Sequence, residues 1–244
     1  MTQDSKGKVY LVGSGCGTLG QLTLQAHQLL STAEVVVYDA LVDGELLAIA
    51  PPSAKCFDVG KRGGQPSLKQ PEIDALLVEQ AQTGAQVVRL KCGDPVYFGR
   101  TTSEIQALRA AGCDYQVVPG VSSALAAPLF AGIPLTDLVL SRAFAVVSGH
   151  APDELDWEAL VAIDTLVILM GGRSLFDILR QLERHGKRMA TPIAIIRMAG
   201  RPEQQVWTGT IETIWDQVQQ ESLSPCVIVM GEVVGLRAFC AQSA

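Results

Sequence analysis

Nowhere in the 244 residues do two cysteines form a C-x-x-C pair. Cys16, Cys56, Cys92, Cys113, Cys226 and Cys240 are scattered, with only His27, His150 and His185 to accompany them. That inventory speaks against a zinc site and against a disulfide framework, so no metal is expected. No apolar run approaches the ~18–20 residues that cross a bilayer, and the longest, around Thr165 to Met170, are strand-length. No membrane association is expected. The opening MTQDSKGK carries no apolar segment after its charges, so no secretory leader is expected and the cytoplasm is the default location. An excess of positive charge is missing too: the formal net charge is -6, a field that repels nucleic acid. Low-complexity tracts and short-period repeats are absent.

What is present is an ordinary globular composition, 48% hydrophobic and 18% charged, long enough for one large domain or two small ones. The first half alternates short β-branched runs (KVYLVG, EVVVYD, QVVRLK, YQVVPG) with helical periods (QLTLQAHQLLSTA, EIDALLVEQAQT, SEIQALRAAG). That order predicts a parallel sheet with helices on its faces. After a small-residue helix, SSALAAPLFAGI, a second series of strands and helices follows: FAVVSG, TLVILMGG, SLFDILRQLERHG, PIAIIRMAG, QQVWTG, TIETIWDQVQQ and CVIVMGEVV. We therefore expect two α/β domains, residues 1–121 and 122–244, each with its own core.

Ligands of open parallel sheets bind beyond the carboxyl ends of the strands, where the unusual loops of this chain fall. The first, GSGCGTLG at 13–20, contains G-x-G-x-x-G between a strand and a helix, with Asp39 ending the next strand. By that fingerprint the loop holds a dinucleotide and Asp39 binds ribose hydroxyls. A carboxylate in a cleft serves equally as a general base, and a solvated strand end is the plain alternative. The second, LKCGDPVYFGR at 90–100, reads as a tight turn at Gly93-Asp94-Pro95, with Arg100 just before a helix that Thr101, Thr102 or Ser103 could cap. The third, DVGKRGGQPSLKQ at 58–70, is long, glycine-rich and basic, either functional or a solvated surface loop. The fourth is VVPGVSSALAA, where Ser122 and Ser123 cap a helix or meet ligand hydroxyls. Lys61, Arg62, Lys69, Arg89, Lys91, Arg100 and Arg142 lie in or beside glycine-bearing loops, which leaves room for a local anion site in an acidic chain.

Taken together, GSGCGTLGQLTLQA, VVYDALV, GKRGGQPS, RLKCGDPVYFGR, VVPGVSSALAAPLFAGIPLT and VIVMGEVVGLR resemble the tetrapyrrole (precorrin) methyltransferases, in order and from about Val9 to Arg237. The KRGG-x-P-S loop and AGIPLT resemble the members that act on uroporphyrinogen III, rather than diphthine synthase or the ribosomal RNA relatives. The resemblance implies a homodimer of two-domain α/β subunits, with S-adenosylmethionine folded in a cleft between the domains. It implies two successive methyl transfers to uroporphyrinogen III, at C2 and C7, giving precorrin-2 for sirohaem or cobalamin. On matching positions it implies Asp39 as proton acceptor and Lys61 as proton donor. It also implies Cys16, Cys92, Gly93, Asp94, Tyr97, Ser122, Ser123, Met170 and Ala199 as cofactor contacts. The substrate carries eight carboxylates, and Arg100 is the guanidinium suited to hold one.

The chain departs from the family pattern in several places. Cys16 and Thr18 stand where GAGPGD has Pro and Asp, GGDP has become CGDP, and GRGGEE has become GRTTSE. Asp137-Leu138 replaces a His-Arg pair after AGIPLT, and Arg142, four residues on, is expected to take over a propionate contact. Three other readings stay in view: an NAD(P)-dependent oxidoreductase, a different precorrin methyltransferase, and a non-catalytic tetrapyrrole-binding protein. The oxidoreductase reading leaves the G-D-P loop, the KRGG loop and the second half unexplained.

Overall fold

Strands made almost wholly of Val, Ile and Leu have no polar face, so they are stable only inside a sheet covered on both sides. The computed structural model describes residues 7–16, 18–60 and 68–240 and divides the chain into two units, Met1–Ser122 and Ser123–Ala244. Each has a five-stranded sheet of this kind.

In the first unit the order along the chain is β1 (Lys8–Gly13), α1 (Leu24–Ser31), β2 (Val35–Tyr38), α2 (Gly44–Leu47), β3 (Lys55–Asp58), α3 (Gln70–Gln82), β4 (Gln86–Lys91), α4 (Thr101–Ala110) and β5 (Asp114–Val118). The sheet runs β3-β2-β4-β1-β5 and every pair is parallel. On one face Val9, Leu11, Val37 and Val87 pack with Ile73 and Leu77 of α3 and Leu108 of α4. On the other, Val12, Val36, Val88 and Leu90 pack with Leu30 of α1 and Leu46 of α2. A helix on each side thus removes from water the strand faces that the sequence leaves without polar residues.

The second unit contains α5 (Ser123–Phe130), β6 (Phe144–Ser148), α6 (Trp157–Leu160), β7 (Thr165–Leu169), α7 (Leu175–Arg184), β8 (Pro192–Arg197), β9 (Gln205–Thr210), α8 (Ile214–Val218), β10 (Cys226–Met230) and α9 (Arg237–Cys240). Its order is β6-β7-β10-β8-β9. Among the described strands of this unit only β6 and β7 pair in parallel: β10 lies antiparallel between β7 and β8, and β9 is antiparallel to β8. Ile168, Ile195 and Ile228 pack with Ile178 and Leu182 of α7, and Val167, Ala194 and Val229 pack with Ala124 and Ala127 of α5.

The ends of β1, β4 and β5 converge through glycines. A Cβ at Gly13 would lie 2.5 Å from Gly93 O and 2.6 Å from Gly120 Cα, and one at Gly120 would lie 2.2 Å from Gly93 O. Gly15 and Gly93, each at φ +71, exchange hydrogen bonds of 3.2 and 2.8 Å and reverse the chain. Gly20, the third glycine of the fingerprint, has open space around it, and α1 begins only at Leu24, capped by Thr23. The glycines therefore bring three loops into backbone contact, and the helix does not start at the glycine loop as a dinucleotide site requires.

This geometry separates two substitutions. Gly13→Ala pushes a methyl into backbone that cannot rotate away and is expected to destabilise the protein by about 1–3 kcal/mol. Gly20→Ala is expected to stay within about 0.5 kcal/mol of the parent. Urea midpoints at constant m-value measure both, and equal effects would contradict the loop-contact account.

Candidate active site

Asp39 follows β2 and donates its N–H to Leu90 O of β4 at 3.2 Å. The parallel register sets Val37 beside Arg89, so Asp39, two residues on, falls on the same face of the sheet as Arg89 and Lys91. Arg89 Nη2 reaches Asp39 Oδ1 at 2.5 Å, and its Nε donates to Glu104 Oε1 of α4 at 2.9 Å. Lys91 Nζ contacts both oxygens of Glu104 at 2.8 Å. Two buried cations and two carboxylates form one cluster, and Asp39 is its outlet: its side chain is 32% exposed, against 0% for Glu104.

A cation inside a sheet keeps its charge only if anions compensate for lost water. Burial alone would lower the Arg89 pKa, but Asp39 and then Glu104 outweigh it and hold the guanidinium above its ordinary value. For Lys91, burial and then the neighbouring Arg89 prevail over Glu104, and its pKa falls below the ordinary value. Arg89 and Lys91 are thus engaged inside the protein by Asp39 and Glu104, which removes these two from the basic residues the sequence offered for a local anion site.

The loop after β4 is tied to the loop after β5 by Asp94. Its Oδ1 accepts from Val96 N at 2.9 Å and its Oδ2 from Gly120 N at 3.1 Å. Val96, Tyr97 and Phe98 beyond it are exposed. Arg100, also exposed, is the N-cap of α4 in a left-handed conformation, φ 56. None of the three expected hydroxyls caps the helix by its side chain: Thr101 Oγ1 donates to Pro95 O, and Ser103 Oγ donates to Asp74 at 2.5 Å. Cys16 accepts no structural charge; its N–H donates to Gln21 Oε1 at 2.9 Å and its thiol to Val121 O at 3.4 Å. Burial, with a contribution from Cys92, pushes the Cys16 thiol up to about 12.

In the first unit, then, Cys16, Cys92, Gly93, Asp94 and Tyr97 lie on loops joined by backbone contacts, with Ser122 buried after β5. Asp39 is at the tip of the neighbouring strand, and Lys61 lies outside the described residues. In the second unit, Met170 follows β7 at φ 58 and is half-exposed. Ala199 follows β8, next to Met198 at φ 50. Ser123 begins α5, and Arg142 is exposed, its N–H donating to Asp164 Oδ2 at 2.9 Å. Asp137 is occupied locally, accepting from Val139 N and Leu140 N at 2.9 Å. Among the described residues no three potential metal ligands cluster, and no helix is long and apolar enough to cross a membrane.

Sequence reading missed Glu104 and the pairing of Arg89 and Lys91 with it. The signal was in QVVRLK: two cations two apart in a strand share a face, and an apolar sheet face cannot hold them without a buried acid.

Comparison with known proteins matches residues 8–214 to the model of the family described as Tetrapyrrole (Corrin/Porphyrin) Methylases. The chain is 53% identical over 236 residues to a protein of Synechococcus elongatus named uroporphyrinogen-III C-methyltransferase, covering 97% of each chain. It is 44% identical to a siroheme synthase of Sodalis glossinidius, where it covers 94% of itself and spans half the length of that relative. Among solved structures it resembles a Thermus thermophilus uroporphyrin-III C-methyl transferase complexed with S-adenosylhomocysteine. That likeness has a TM-score of 0.83 and 38% identity, covering 94% of this chain and all of the other.

The raised Cys16 value makes a chemical prediction. Only the thiolate alkylates readily, and a shift from 9.0 to about 12 leaves about a thousandfold fewer thiolates near neutral pH. Iodoacetamide at pH 8, followed by peptide mass spectrometry, should label exposed Cys56 and Cys240 well before Cys16; labelling of Cys16 at the same rate would contradict the burial argument.

Proposed function

The chain belongs to the tetrapyrrole (corrin/porphyrin) methylases, and we propose that it is an S-adenosylmethionine-dependent C-methyltransferase converting uroporphyrinogen III to precorrin-2 by two successive methylations. The observation that carries this reading is the 53% identity to a uroporphyrinogen-III C-methyltransferase over nearly the whole of both chains. The S-adenosylhomocysteine named with the Thermus structure supports the cofactor.

The residues of the first unit fit such a cofactor. S-adenosylmethionine supplies an electrophilic methyl group. Beside it the site needs nucleophiles that do not compete for that methyl, and Cys16 meets the condition because its thiol stays protonated at neutral pH. Backbone held rigid at Gly93 by Gly15 and at Gly120 by Asp94 forms the rim, and Tyr97 offers exposed ring surface. Cys16, Cys92, Gly93, Asp94, Tyr97 and Ser122 are the proposed contacts in this unit. Ser123, Met170 and Ala199 are those proposed in the second.

An electron-rich pyrrole carbon attacks the methyl, and much of the rate comes from holding the reactants in line. The methylated ring is cationic and must lose a proton. Asp39, the half-exposed end of an otherwise buried cluster, is the proposed acceptor; Lys61, outside the described residues, is the proposed donor. Held by Arg89, the Asp39 carboxylate is presented in one orientation, as a general base requires. Arg100 and Arg142, both exposed, are proposed to hold substrate carboxylates. The oxidoreductase alternative loses its basis, since a side chain at the third glycine of the fingerprint would meet nothing and the loop leads into a single short 3-10 turn, Leu19–Gln21, with the α-helix starting only at Leu24. We further propose a homodimer acting in the cytoplasm, the first being read by its mass in solution.

Anaerobic incubation with methyl-labelled S-adenosylmethionine and enzymatically generated uroporphyrinogen III is expected to yield labelled precorrin-2. Folded, cofactor-binding protein without methyl transfer would overturn the reading. Asp39→Asn should keep cofactor binding while losing about 10²–10⁴-fold in turnover, the contribution of a positioned base. Arg142→Ala should raise the substrate KM, and an unchanged KM would remove it from the site.

A further inference from the structure

Glu104 sits in the first turn of α4, four residues after Arg100, and no part of it reaches solvent. One of its oxygens accepts from both Arg89 Nε and Lys91 Nζ, and the other from Lys91 Nζ alone. Arg89 uses three of its four other N–H donors as well: Nη1 to Val37 O at 3.4 Å and Leu90 O at 3.3 Å, and Nη2 to Asp39. The guanidinium is planar, so fixing Nε at one end fixes where Nη2 points at the other. The exposed rim of the site is thereby linked to a buried acid on a different element. That acid also ties β4 to the helix whose N-cap is Arg100.

From this geometry we propose that Glu104 is a positioning residue for methyl-transfer chemistry: by accepting from Arg89 Nε it aims the Arg89 guanidinium, which holds the Asp39 carboxylate in its proton-accepting orientation relative to Arg100. The proposal rests on Asp39 being the proton acceptor. Lys91 has the complementary task of supplying the cluster's second positive charge, contacting both oxygens of Glu104 where no water reaches it. Asp74 of α3, a further acid in contact with α4, is bonded to Gln70 and Ser103 instead.

Removing Glu104 alone would leave a net buried positive charge, so a loss of activity could reflect charge imbalance. Two charge-balanced double variants isolate the acceptor. In Lys91→Met/Glu104→Gln the amide oxygen still accepts from Arg89 Nε; in Lys91→Met/Glu104→Met a side chain of the same length cannot. Both keep one cation, Arg89, paired with one anion, Asp39. The measurements are kcat, the S-adenosylhomocysteine Kd, and the kinetic isotope effect on substrate deuterated at the position that loses its proton.

The methionine double variant is expected to have a kcat about tenfold or more below that of the glutamine double variant, within the range set by a positioned base. The Kd should be the same within about twofold, and the isotope effect should rise because proton removal has become slow. A merely structural role would weaken cofactor binding along with kcat and leave the isotope effect unchanged. Equal kcat values in the two doubles, or an unchanged isotope effect, would overturn the proposal. Asp39→Asn separates the two readings. If that variant keeps full turnover, the assignment of Asp39 itself fails; if it loses turnover while the doubles remain equal, only the role of Glu104 fails. If neither double folds, the matched singles Glu104→Gln and Glu104→Met decide, since they share one charge imbalance and differ only in the acceptor: a lower kcat and a raised isotope effect in the methionine variant at equal Kd are expected, and equal isotope effects would overturn the proposal.

Discussion

Two cations inside the central strand of a parallel sheet must be neutralised where they stand, and the way this chain does so shapes the site. Glu104 and Asp39 provide the two negative charges, one from the first turn of α4 and one from the end of β2, with Arg89 bridging both. Breaking such a pair by deleting one partner costs about 3–5 kcal/mol, whereas an apolar replacement of the whole cluster can be neutral or stabilising. Stability therefore does not explain why charges sit there. The arrangement does orient Asp39, whose carboxylate leaves the buried cluster and reaches partial exposure at the strand tip.

The same end of the sheet is closed by a second device, which uses no charge. Gly13, Gly93 and Gly120 approach so closely that a methyl group at Gly13 or Gly120 would collide with backbone, and the Asp94 carboxylate fastens two of the loops by accepting two N–H groups. The loops are fixed by main-chain contact. The path of the chain at Cys16 and Cys92 is held by the glycines beside them, Gly15 and Gly93, which exchange backbone hydrogen bonds. It also leaves the Cys16 side chain only partly exposed, and that burial, with a contribution from Cys92, pushes its thiol up to about 12.

Much of this was legible in the order of residues. Period-two and near-continuous β-branched runs separated by helical periods identify β1, β2, β4 and β5, and Asp39 and the G-D-P turn fall at strand ends as expected. Periodicity carries no strand direction, however, so the antiparallel insertion of β10 between β7 and β8 had no signature. Local hydroxyls misled in a different way. Thr101 and Ser103 look like helix caps, but tertiary partners, Pro95 O and Asp74, compete for them and win. Glu104 was invisible for a third reason: in TTSEIQALRA it resembles any solvated acid near a helix start, and only the placement of α4 against β4, 13 to 15 residues away along the chain, reveals its partners. The G-x-G-x-x-G match shows the converse error, since Gly20 completes the pattern yet contacts nothing that excludes a side chain.

The central claim is that a buried ion cluster aims Asp39 at a cofactor-binding rim built from the loops after β1, β4 and β5. A crystal structure of the protein with bound S-adenosylhomocysteine tests it most directly. The account predicts ligand density against Cys16 and the Gly93–Tyr97 loop, with Arg89 still bonded to both Asp39 and Glu104 and the Asp39 carboxylate facing the open side. A ligand bound elsewhere, or Arg89 turned away from Asp39 toward the ligand, would contradict it.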